Sequence, residues 1–146
     1  MIVPAELADT EALAAWLDAH VPELGTGPLR VERLHGGTSN VILTLERGGG
    51  QSMVLRRPPA VPPPGSEKTV LREARVLTAL NGTVVPHPHC YGVCDDPSVI
   101  GAPFYVMERV PGWAAELRDE RILHRAPFDC PPSEYGIAFA MVDGLV

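Results

Sequence analysis

Lysine is nearly missing from this chain: of its 12 basic residues Lys68 is the only lysine, and the rest are arginines. Any anion site that needs a side-chain cation will therefore use arginine. Acidic residues outnumber basic ones and leave a formal net charge of -6, which argues against a nucleic-acid partner. A few local cations can still hold an anion against that background. No apolar run approaches the roughly 18 residues of a membrane span, so no membrane partner is expected. The N-terminus has neither the basic nor the apolar region of a secretory signal. The three cysteines, Cys90, Cys94 and Cys130, are an odd set without a disulfide framework, as suits a reducing, cytoplasmic location. No Walker A sequence occurs, which excludes a P-loop NTPase on motif grounds.

What is present suffices for one ordinary domain: 146 residues, 45% of them hydrophobic. Residues Ala5 to His20 read as an amphipathic helix with Leu13, Trp16 and Leu17 on one face, ended by Pro22 and Gly25. Alternating segments follow at Leu29 to His35, Val41 to Leu45 and Met53 to Arg57, separated by Gly36-Gly37-Thr38-Ser39-Asn40 and by Gly48-Gly49-Gly50. Two tight turns between three short strands predict an antiparallel meander. The proline-rich stretch from Pro58 to Gly65 is a stiff connector. Ser66 to Leu80 is the strongest helix, with Ser66 as N-cap and Asn81-Gly82 as its stop. Short strands at Tyr91 to Cys94 and Phe104 to Val110 follow, the second closed by Pro111-Gly112. Trp113 to Arg125 and a segment from Ser133 read as further helices. The last carries Ile137, Ala140, Met141 and Leu145 on one face, so self-association through that face is expected. The fold class is α+β, with a sheet of about five strands.

Three features bear on chemistry. Glycines at 36 and 37 allow close backbone approach, and successive N–H groups in such a turn can cradle phosphate, although an ordinary hairpin turn looks the same. Glu73 shares the helical stripe of Val70, Leu77 and Leu80, where a carboxylate needs a cation. Arg56 on the third strand is one candidate partner; exposed Arg72 or Arg75 at the rim is the other. Finally, Phe104 to Gly112 is a buried-looking strand running into a break, as at a hinge. His87, His89, Cys90 and Cys94 are close enough in sequence to suggest zinc, but their spacing is not a standard one, and strand alternation would put Cys90 and Cys94 together on the face opposite His89.

The order of these features, with the segments LHGGTSNVILTL, VLRRPP, LREARVLTAL and VPHPHCYGVCDDPSVIGAPFYVMERVPG, resembles the small lobe of the kinase-like aminoglycoside phosphotransferase family. It is most similar to the branch related to domains fused to acyl-CoA dehydrogenases. The resemblance implies a nucleotide-binding small lobe over residues 1–110, and a hinge and the start of an incomplete helical large lobe over residues 111–146. It implies that Gly36, Gly37, Thr38, Ser39 and Asn40 form the loop over the ATP phosphates. Arg56 would stand where protein kinases place their phosphate-binding lysine, oriented by Glu73. Met107 would border the adenine, with the Glu108 carbonyl and the Val110 N–H on its edge. ATP and Mg²⁺ are the implied cofactors, and a hydroxylated small molecule is the acceptor in a complete protein. No histidine is followed two places on by aspartate, so the family's His-x-Asp loop is missing from these 146 residues. A non-catalytic, pseudokinase-like nucleotide-binding or partner-binding module is the alternative.

Overall fold

A computed structural model describes residues 7–34, 40–48 and 51–111. Five strands form one antiparallel sheet: β1 (Leu29–Leu34), β2 (Val41–Arg47), β3 (Met53–Arg57), β4 (Cys90–Cys94) and β5 (Phe104–Glu108), in the spatial order β1-β2-β3-β5-β4. The meander predicted for the first three strands is present. β5 crosses back to pair with β3, which makes it a central strand and leaves β4 at the edge.

Strand alternation divides the sheet into two faces, and each receives one helix. Helix α1 (Thr10–His20) lies on the face made by Leu43, Leu45, Met53, Leu55, Phe104 and Val106, and buries Leu13 and Leu17 there. Trp16 packs edge-on against Phe104. Helix α2 (Ser66–Leu80) covers the opposite face through Val70, Ala74 and Leu77, which meet Val54, Tyr105, Met107 and Cys90.

The ends of these elements correct several sequence expectations. α1 begins at Thr10, because the Asp9 carboxylate accepts from the Glu11 and Ala12 N–H groups and so caps the helix there. Ser66 is the first residue of α2 rather than its cap. Gly65 holds the cap position at φ 85°, and the Ser66 hydroxyl donates to the Pro63 carbonyl instead. β5 stops at Glu108, two residues short of Val110. A bulge between Cys90 and Gly92 changes the side to which β4 residues point. Cys90 therefore joins the α2 cluster and Cys94 the α1 cluster, on opposite faces, where simple alternation had placed them together.

Three arginines are buried in this frame, and two of them act as tethers. Arg47, on β2, donates to the Asp18 carboxylate and to the Gly25 and Ala14 carbonyls, and so ties α1 to the sheet. Arg57, at the end of β3 and 2% exposed, donates to the carbonyls of Pro58, Leu7 and Ile100. Burial lowers its pKa from the ordinary arginine value. The fork of the guanidinium suits this use, since it reaches several acceptors at once. The glycine loop 36–39, Cys130 and the helices expected after Pro111 lie outside the described residues.

Candidate nucleotide site

The register of the sheet assembles the site. Arg56 on β3 is flanked by Ile42 on β2 and Tyr105 on β5, all on the α2 face. Two residue pairs along, and so on the same face, Val54 faces Met107. Two steps of strand rise separate the two ends of this strip by roughly 7 Å. One end thus carries a guanidinium and the other a buried methionine, just before the chain reaches Pro111.

Glu73 enters this face from α2. Its Oε1 accepts a 3.2 Å hydrogen bond from Arg56 Nη2, and its Oε2 lies 3.0 Å from Arg56 Nε. The second contact is close enough for an ion pair, but its angle falls outside hydrogen-bond geometry. The alternatives left by the sequence are thereby decided: Glu73 meets Arg56, while Arg72 and Arg75 stay exposed. The Arg56 side chain is 5% exposed and that of Glu73 is 23%. A cation this buried needs a nearby negative charge, and Glu73 supplies one from a position still open to water.

A third group completes the arrangement. The Tyr105 hydroxyl donates to Glu73 Oε2 at 3.2 Å. Burial raises the phenol pKa well above its ordinary value; the Arg56 charge pulls it back, and the Glu73 charge and hydrogen bond raise it further. The sequence reading passed over Tyr105, because a tyrosine in an apolar strand reads as core. The available signal was its i, i+2 spacing from Met107, which puts both side chains on one face.

The other predicted residues are placed as follows. Met107 is buried in the α2 cluster. The Glu108 side chain is exposed, and its Oε2 accepts from the His89 N–H at 3.2 Å. The Glu108 N–H donates to the His89 carbonyl at 2.8 Å, so this peptide is anchored to the edge of β4. Val110 is half-buried beyond the strand. Asn40 opens β2 and lines a cavity of about 550 Å³ with Arg33, Val41, Pro63 and Ser66. Among the described residues of the predicted site, only Asn40 lines that hollow; Arg56, Glu73 and Met107 do not. Gly36, Gly37, Thr38 and Ser39 lie outside the described residues. Just after β5, Arg109 donates to Glu46 Oε1 at 3.2 Å and to Ser52 Oγ at 3.1 Å, a polar cluster that sequence reasoning did not anticipate. Among the described residues no group of three or more His, Cys, Asp or Glu could hold a metal ion, and His89 packs edge-on against Tyr91.

Comparison with known proteins fits this geometry. In mouse, acyl-CoA dehydrogenase family member 10 is 34% identical over 102 residues, covering 70% of this chain and 9% of that protein. In chicken, acyl-CoA dehydrogenase family member 11 is 42% identical over 93 residues, covering 62% of this chain and 12% of that protein. The chain thus spans only about a tenth of the length of these relatives. A crystal structure from Ralstonia eutropha JMP134, provisionally named an aminoglycoside phosphotransferase, superimposes with a TM-score of 0.60 at 46% identity, covering 72% of this chain and 29% of the other. The model of the phosphotransferase enzyme family matches residues 30–129, a span that includes every strand but the first residue of β1. With this match, and with an antiparallel small-lobe sheet that carries an inward Arg56–Glu73 pair, the chain belongs to the phosphotransferase enzyme family.

Proposed function

We propose that this chain is the ATP-binding portion of a small-molecule phosphotransferase, which in a complete protein transfers the ATP γ-phosphate to a hydroxyl acceptor. The observation that carries the reading is the Arg56–Glu73 pair: a buried guanidinium paired with a carboxylate that is itself partly exposed. A phosphate oxygen is the natural second anion for such a fork. ATP fits this donor set. The described residues hold no metal-ligand group, so Mg²⁺ is assigned no position among them.

In this reading Arg56 binds the phosphates, Glu73 fixes its plane, and Val54 and Met107 offer an apolar surface to the adenine. The peptides of Glu108 and Val110 supply hydrogen bonds to the adenine edge, and residues 36–40 close over the phosphates. Residues 1–110 act as the small lobe and residues 111–146 as the hinge and the start of a helical lobe that takes the acceptor. No helix among the described residues is long and apolar enough to cross a membrane, and a cytoplasmic location accords with scattered, unpaired thiols. Phosphoryl transfer also needs a base at the acceptor. The missing His-x-Asp spacing favours binding without turnover in this chain.

Calorimetric titration of the chain with ATP tests the reading. Binding is expected to be weak and to be lost in Arg56→Ala. Binding that is indifferent to Arg56→Ala would remove the assigned site.

A further inference from the structure

We infer that Tyr105 is a positioning residue for the nucleotide phosphates, acting through Glu73 on Arg56; this rests on the nucleotide reading given above. Glu73 stands on a helix, 23% exposed, with exposed Arg72 and Arg75 as neighbours and water within reach. A flexible carboxylate there has other places to go. Tyr105 does not: it is 1% exposed, sits in the central strand β5, and is the direct cross-strand partner of Arg56.

Its hydroxyl occupies Glu73 Oε2, while Arg56 Nη2 occupies Oε1. Two donors on two oxygens fix the plane of the carboxylate, and a carboxylate fixed in plane fixes the guanidinium that pairs with it. Positioning of this kind matters most for an anion that must meet the fork in one orientation. Burial and the neighbouring carboxylate keep the phenol protonated, so it remains a donor throughout the working pH range. A purely structural tyrosine would fill the α2 cluster equally well without its hydroxyl. Tyr105→Phe separates the two roles, because it keeps the ring and removes only the donor.

The test compares ATP with adenosine on the full chain. Tyr105→Phe is expected to weaken ATP binding about fivefold, the net scale of one ordinary hydrogen bond since the effect is indirect, and to leave adenosine binding unchanged. In a Glu73→Ala background the same change should have no further effect on ATP, since coupled residues are not additive. Unchanged ATP affinity, equal losses for ATP and adenosine, or full additivity would overturn the proposal. A wild-type chain that binds neither ligand overturns the nucleotide reading instead. The Tyr105 link is then decided by NMR, from the exchange rate of the Arg56 Nη–H protons, which include the donor to Glu73. That rate should rise in Tyr105→Phe, and an unchanged rate overturns the link.

Discussion

Arg56 and Arg57 are neighbours in sequence and opposites in use. Strand alternation sends Arg57 to the α1 side, where it binds three backbone carbonyls and no carboxylate. Arg56 goes to the α2 side, where it meets a carboxylate that is still open to water. The α1 face is closed, and its two cations, Arg47 and Arg57, tether α1 and the loops, five of their six acceptors being backbone carbonyls. On the α2 face the cation is paired with a carboxylate that stays 23% exposed. On the proposed reading, the same residue type is thus structural or ligand-directed according to what meets its fork. Buried carbonyls cannot follow a departing guanidinium, whereas Glu73 can turn to solvent.

That contrast is broken most severely at Arg57. Arg57→Ala leaves three carbonyls without their donor and should cost about 3–5 kcal/mol, read as a lower urea midpoint. Leu17→Ala, in the closed core of the same face, should cost about 2–5 kcal/mol by cavity formation. Gly92→Ala comes next. An added Cβ would meet the Trp16 ring at 3.1 Å and Val21 at 3.2 Å, so one of them must shift, at about 1–3 kcal/mol. Arg56→Ala should cost only about 1 kcal/mol, because Glu73 can hydrate, yet it should abolish ATP binding. A loss of stability as large as that of Arg57→Ala would erase the distinction between the two faces.

The smallest effect concerns pH. The Ser98 N–H and hydroxyl hold the Asp96 carboxyl below its usual pKa. A depressed carboxyl contributes stability above its unfolded value, roughly pH 4, and that contribution is lost as pH falls through the folded value. Asp96→Asn keeps the turn acceptor and removes the titration, so the thermal midpoint should decline slightly less between pH 5 and 3.

Much of this was legible from sequence because alternation is a local signal. Val41 to Leu45 and Met53 to Arg57 declare their faces without help, and Glu73 between Val70 and Leu77 could only be an inward or rim carboxylate. What stayed hidden depends on pairing across the chain. Tyr105 gains its role from a register that places it beside Arg56, and no property of FYVM alone shows that register. Cys90 and Cys94 were set on one face because a bulge is invisible to a period of two. Asp9 is a strong N-cap in hindsight, but Glu6 and Leu7 prolong the helical pattern through it, and the capping hydrogen bonds decide where the helix begins.

The tethers made by Arg47 and Arg57 also bear on where this lobe can be cut. The family match opens at residue 30, which suggests that a fragment could start there. Such a fragment would discard Ala14, Asp18, Gly25 and Leu7, and with them all three acceptors of Arg47 and one of the three of Arg57. It would also uncover the hydrophobic floor beneath Leu13 and Leu17. The segment ahead of the first strand is thus the sheet's own lid, and a fragment that begins at residue 30 should be much less stable than one that begins at Leu7.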